Sequence, residues 1–296
     1  MRGLIIIFAC LLSTNALAFA TANTRSYADV VADLEKLANQ YPENATMFDL
    51  GWSDNGVPIK ALAIGNGEIE NLVVGTHHGN EYGSTAVTEA FAADLAANPI
   101  EGQTLYVVPV LNTSGYDRRR RNESNGKSYH DPNRDYPGPC TKDIAFQLSS
   151  TKALADFLDD TDVVTSATLH TYYPGALYPW GLSTFDLDTG YTDTFIQLGK
   201  DATFLSGYKV GNSTEELYPA DGTFEDYAYW KHGIWSMLME MGHTHYPSES
   251  QVKEMIRVNV PGLRKMFANA PTLRAPDFAF KGKCNNLSWL LDLKNE

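Results

Sequence analysis

The sequence predicts an α/β fold in which a mixed, mostly parallel, twisted sheet is covered by helices on both faces. Three observations point to it. Short, continuous apolar runs rich in β-branched residues recur at 71–76, 105–111 and 163–169, with a fourth apolar run at 234–241, as expected of strands buried on both sides. Segments of helical period alternate with them. Neither an internal repeat nor a flexible linker interrupts the 296 residues, so the pattern reads as one large domain.

Taken in order, residues 26–40 carry Val30, Val31, Leu34, Leu37 and Ala38 at helical spacing, and Tyr41-Pro42 ends the helix. Residues 47–52 and 59–64 flank Asp54-Asn55-Gly56 and predict a β-hairpin, closed by Gly65-Asn66-Gly67. The strand at 71–76 leads into a helix at 84–97, which Asn98-Pro99 stops, and a strand follows at 105–111. Residues 112–141 then form a long polar stretch with four consecutive arginines; an irregular segment of that length inside a domain is functional or disordered. Helical period returns at 143–158, a strand is expected at 163–169, and a helix at 191–205. The strand at 234–241 is interrupted by one acid, Glu240, and the last helix spans 249–267.

The amino-terminal residues have their own signature. Met1-Arg2, the apolar core from residue 4 to 12, and Ala16-Leu17-Ala18-Phe19-Ala20 match a secretory signal peptide. We assign residues 1–20 to the signal and 21–296 to a single domain destined for a secreted or periplasmic location. Ile7-Phe8-Ala9-Cys10 loosely resembles a lipoprotein site, but the apolar run continues past Cys10 and argues against an anchor. Loss of the signal leaves Cys140 and Cys284, which form one disulfide or remain free. The formal net charge of −13 disfavours nucleic acid and anionic membranes as partners. No later stretch is long and apolar enough for a membrane span, and we expect a monomer.

Chemistry concentrates at the carboxyl ends of the predicted strands, where open α/β sheets bind ligands. The run Val73-Val74-Gly75-Thr76 stops at His77-His78-Gly79-Asn80-Glu81. If a helix begins directly after the strand, His78 and Glu81, three residues apart, converge on one ion. His170, closing the strand at 163–169, supplies a remote third ligand. Two histidines and one glutamate are a donor set of catalytic zinc, which keeps a position open for water, whereas structural zinc is closed by cysteines. One zinc per chain is expected. His78, Asn112 and His170 all occupy strand ends, and Asn112 is expected to contact substrate. Glu240, among Trp235, Met237, Leu238, Met239 and Met241, is costly to bury unless paired or functional. It either pairs with an arginine or acts as a general base on water activated by the metal.

These motifs occur in an order that resembles the zinc carboxypeptidases of the carboxypeptidase A superfamily. The resemblance rests on His78-Gly79-Asn80-Glu81, Asn112-Thr113-Ser114-Gly115 leading into the arginines, Asp131-Pro132-Asn133-Arg134, Leu169-His170-Thr171-Tyr172, Tyr178-Pro179-Trp180-Gly181, Tyr218-Pro219-Ala220-Asp221-Gly222 and Glu240. It implies a sheet of about eight strands, with His78, Glu81 and His170 as zinc ligands and Glu240 as the base. It further implies that Asn133 and Arg134 grip the free carboxylate of a peptide's last residue, and that Tyr218 closes over the bound side chain. An arginine would polarise the scissile carbonyl; the Arg-x-Asn spacing selects Arg120, with Arg121 next. Glu225, seven residues after Tyr218, falls at the floor of the side-chain pocket, where an acid favours Lys or Arg, unless it turns away beside Asp226.

The implied activity is hydrolysis of the C-terminal peptide bond of peptides or proteins. Two other readings share the motifs: an N-acyl amino acid deacylase of the aspartoacylase and succinylglutamate desuccinylase type, and a carboxypeptidase acting on peptidoglycan stem peptides. The signal peptide and Tyr178-Pro179-Trp180-Gly181 favour a peptidase over the deacylase. Asn112-Thr113-Ser114-Gly115 departs from the usual Asn-Pro-Asp-Gly, and Asn80 stands where many digestive members carry arginine.

Overall fold

The computed structural model describes residues 22–141, 146–182 and 188–284. The expected signal peptide, Cys10 included, lies outside the described residues, as do the first residues of the helix expected at 143–158. In chain order the elements are α1 (Tyr27–Gln40), β1 (Ala45–Trp52), β2 (Pro58–Gly65), β3 (Ile69–Gly75), α2 (Tyr82–Ala97), β4 (Gln103–Val108), α3 (Thr113–Arg118), β5 (Glu123–Ser124) and β6 (Tyr129–His130). They continue with α4 (Ser149–Asp159), β7 (Thr165–His170), β8 (Gly175–Tyr178), α5 (Thr192–Ala202), β9 (Lys209–Asn212), α6 (Ser213–Glu216), α7 (Phe224–His232), β10 (Trp235–Glu240) and α8 (Glu249–Asn269).

One eight-stranded sheet runs in the order β1-β2-β4-β3-β7-β10-β8-β9. The central strands β4, β3, β7 and β10 are parallel, and the β1–β2 hairpin and the β8–β10 pairing make the sheet mixed. Side chains alternate across β3: Val73 enters one core with Phe91 of α2 and Leu263 of α8, while Leu72 and Val74 enter the other with Leu154 of α4 and Phe224 of α7. Both faces are therefore covered, which explains why the central strands read as unbroken apolar runs.

Register is the property that matters for the site. In the parallel pairings Gly75 lies opposite Leu169, and Glu240 opposite His170. The carboxyl ends of β3, β7 and β10 thus finish level, and whatever follows Gly75 is delivered beside His170 and Glu240. The stretch at 112–141 is not a single irregular loop. It contains α3, the β5–β6 hairpin and a 3-10 turn at Pro132–Arg134, and it packs across these strand ends. Cys140 and Cys284 are bonded, their Cα atoms 5.4 Å apart, which answers the pairing that the sequence leaves open.

Candidate active site

The chain leaves β3 through a sharp reversal. Thr76 has φ 59°, a left-handed conformation costly for a β-branched residue and held only where the surroundings over-determine it. Here they do: the Thr76 N–H donates to Ser84 Oγ, and its hydroxyl meets Thr85 Oγ1 at 2.5 Å and Pro109 O at 3.1 Å. Gly79 completes the turn, because a Cβ there would lie 2.0 Å from the Gly115 carbonyl carbon. Glu81 is the residue that caps α2, so His78 and Glu81 meet through a turn, not through one helix face as the spacing alone suggests.

His78 Nδ1 lies 2.8 Å from Glu81 Oε1 and 3.2 Å from His170 Nδ1, and His170 Nδ1 lies 3.1 Å from Glu81 Oε2. The backbone N–H of Thr171 donates to Glu81 Oε2 at 3.0 Å. All three side chains are buried, and their donor atoms lie within 4.8 Å of one another. Zinc ligands at about 2.0–2.1 Å stand roughly 3.4 Å apart around a tetrahedral ion, so this set fits zinc after a slight expansion. The other half of the reason is the tautomer. His78 Nε2 is 2.9 Å from Asp131 Oδ1; a proton held there leaves the Nδ1 lone pair for a metal. His77, by contrast, faces Tyr136, whose hydroxyl is 3.0 Å from Nε2, and takes no part in the cluster.

Electrostatics follow from the same contacts. Burial works against a charged His78, but Glu81 and Asp131 outweigh it and push the imidazole up to about 9. Burial likewise works against the Glu81 carboxylate, yet His78 and His170 hold it well below the usual carboxylate range. Burial, reinforced by the Glu81 charge, raises Glu240 to about 8. Glu240 Oε2 is shut from solvent and has no hydrogen-bond partner among the described residues, so the arginine-pairing alternative lacks a contact.

A cavity opens beside the cluster, lined by His78, His170, Glu240, Arg121, Asn133, Arg134, Tyr218 and Glu225, with Gly181, Ser213, Leu217, Ala220, Thr223 and Leu238. Asn133 Oδ1 accepts from the Phe224 N–H at 2.8 Å, which turns α7 and the Asn133-Arg134 loop into one unit. Arg134 Nη2 reaches the Tyr218 hydroxyl at 3.4 Å, and Tyr218 is 54% exposed. Glu225 is buried with Oε2 unpartnered; it is Asp226 that turns to the Gly181 N–H.

Two sequence expectations change. Arg120 is exposed and does not line the cavity, whereas Arg121 does. The cause is the left-handed residue Arg119 (φ 52°), which ends α3; beyond it the Arg121 carbonyl is fixed by the Gly79 N–H and the Asn112 amide. Arg121 then donates to Asp131 Oδ2 from Nε at 2.9 Å and Nη2 at 2.8 Å. Asn112 is also placed differently. It is wholly buried, its Oδ1 accepts from the Gly115 N–H, and its NH2 donates to the carbonyls of His77 and Arg121. With both donors used internally it positions the loops and does not touch the cavity. Asp131, to which sequence reasoning gave no role, is the residue that orients His78 and Arg121 together; its place inside the Asp131-Pro132-Asn133-Arg134 motif was the available signal.

Residues 30–262 match the family model for zinc carboxypeptidase. The chain belongs to the zinc carboxypeptidase family. Among its relatives are carboxypeptidase SOL1 of Arabidopsis thaliana, 26% identical over 274 residues, and carboxypeptidase B of the crayfish Astacus astacus, 26% identical over 251. The first match covers 80% of this chain and 55% of the plant protein, so the chain spans about half of that relative; the second covers 70% and 82%. The structure of bovine thrombin-activatable fibrinolysis inhibitor with a tick carboxypeptidase inhibitor shares the fold, with TM-score 0.74, 19% identity and coverage of 83% of this chain and 96% of that one.

Asp131 supplies a direct test of the site. Asp131→Asn should weaken zinc binding about 10- to 100-fold, as loss of a ligand's outer partner does, without unfolding the protein. Titration against a competing chelator measures it, and unchanged affinity would contradict the orienting role.

Proposed function

We propose that the protein is an exported zinc carboxypeptidase that removes the C-terminal residue of peptides or proteins, with residues 1–20 as a cleaved signal and 21–296 as a monomeric catalytic domain. The observation that carries this reading is the placement of an unpartnered carboxylate, Glu240, and a carboxylate-gripping pair, Asn133 and Arg134, in the cavity that borders the metal cluster. The disulfide between Cys140 and Cys284 supports a secreted or periplasmic location. Among the described residues no helix is long and apolar enough to cross a membrane.

His78, Glu81 and His170 would hold one zinc, which supplies Lewis acidity to the scissile carbonyl and to water. The chain's own groups do the rest. Arg134 binds the terminal carboxylate through its planar fork, and the Asn133 NH2 assists, since its Oδ1 is already committed to Phe224. Arg121, steadied by Asp131, stabilises charge that develops on the carbonyl oxygen. Glu240 takes the proton from the attacking water and returns it to the leaving amine. Tyr218, exposed beside Arg134, covers the bound residue. Requirement for a free α-carboxylate next to a side-chain pocket distinguishes this scheme from attack within a chain; a peptidoglycan stem peptide would satisfy it equally well.

Glu240→Gln should keep zinc content and thermal stability near wild type while turnover falls by roughly two to four orders of magnitude. Loss of zinc, or activity that merely follows the folded fraction, would assign Glu240 a structural role.

We further propose that Glu225 directs the pocket toward Lys or Arg. It is buried, lines the cavity, and has a carboxylate oxygen without a partner; a cationic side chain would relieve that cost. In matched peptides ending in Arg, Phe and Glu, Glu225→Gln should lower kcat/KM for Arg alone by roughly thirty- to hundredfold. A wild type that handles Arg no better than Phe, or an equal loss on all three, sinks the assignment.

A further inference from the structure

One side chain next to the metal cluster has no task in the scheme above. His245 lies in the loop between β10 and α8, its ring edge-on to Tyr172 at 4.9 Å and 6.3 Å from the ring of Tyr246. Its Nδ1 is buried and has no hydrogen-bond partner. The nearest acid is Glu81, whose Oε1 is 3.9 Å away, beyond hydrogen-bond range. The side chain as a whole is 37% exposed, and Tyr172 and Tyr246 are 50% and 65% exposed. An open aromatic rim therefore carries one unsatisfied nitrogen beside the cluster.

The path of a peptide gives that nitrogen a partner. The last residue enters the cavity, where Arg134 and buried Glu225 lie, and the bond to be cut sits between Glu240 and the cluster. Residues before that bond must leave over a surface that borders the cluster outside the cavity. His245 and Tyr172 do not line the cavity, yet His245 stands against Glu81, and Tyr172 follows Thr171, whose N–H holds the same carboxylate.

We propose that His245 Nδ1–H donates a hydrogen bond to a main-chain carbonyl oxygen on the amino side of the scissile bond, with Tyr172 and Tyr246 walling that stretch. The proposal rests on the carboxypeptidase reading and deepens it. The enzyme then selects substrates with a further amide before the cleaved one over simple N-acyl amino acids.

The test compares acetylglycyl-Xaa with pentanoyl-Xaa, where Xaa is the preferred C-terminal residue. The two have the same length, but pentanoyl replaces the upstream amide by methylenes. Wild type should favour the acetylglycyl substrate about tenfold in kcat/KM, the worth of one hydrogen bond. His245→Leu should bring that ratio close to one, and His245→Asn, whose amide nitrogen falls near the position of Nδ1, should restore most of it, with bound zinc equal in all three proteins. A wild-type ratio of one, an unchanged ratio in His245→Leu, an equal loss on both substrates, or loss of zinc in His245→Leu each overturns the proposal while leaving the peptidase reading intact. A wild type that cleaves neither substrate defeats that reading, and this proposal with it.

Discussion

Two carboxylates and two imidazoles meet where little water reaches them, at the level ends of three parallel strands. Glu81 is 1% exposed, and its charge adds to burial in raising Glu240 to about 8. Such a group of charges is stable only when positive charge balances it. Without a metal, a proton on His78 serves, which is why that imidazole is pushed up to about 9 against its burial. A divalent cation takes over this role on binding and displaces the proton. The reversed backbone at Thr76, the close approach of Gly79 to Gly115 and the carboxylate of Asp131 all serve to hold this cluster in place.

The cavity wall is tied down from several distant parts of the chain. Asn133 joins the carboxylate-binding loop to α7, and Asp226 joins α7 to Gly181. The carboxyl-terminal segment crosses the outside of this unit: Phe280 stands edge-on to the buried Trp180 at 5.2 Å, and the Asp277 carbonyl accepts from the Tyr229 hydroxyl. The disulfide closes the circuit from the loop after Arg134, at Cys140, to Cys284, 144 residues later. Specificity elements are thus braced, while Tyr218 at the mouth stays exposed and free to move.

Much of this was legible in the sequence because periodicity reports burial. Helix α1 shows one apolar stripe, Val30, Leu34 and Leu37, and the central strands show continuous apolar runs. Helix α7 was not foreseen, since it presents no stripe: Phe224, Glu225, Asp226, Tyr227, Ala228 and Tyr229 are all buried, against the core, the cavity or polar partners. Strands β8 and β9 have four residues each, too few for a pattern. The metal triad was readable because its residue types at strand ends have little other use. The choice between Arg120 and Arg121 was not, because it depends on a single left-handed residue, Arg119, and the donors of Asn112 find their acceptors only once α3 is folded.

The central claim is that the cluster and the carboxylate grip act on one and the same end of a peptide. Mass spectrometry of a mixed peptide pool, each sequence present with a free and with an amidated C-terminus, tests it most directly. The account predicts stepwise loss of single residues from free C-termini while the amidated partners stay intact. Internal cleavage, or equal trimming of amidated and free peptides, would contradict it.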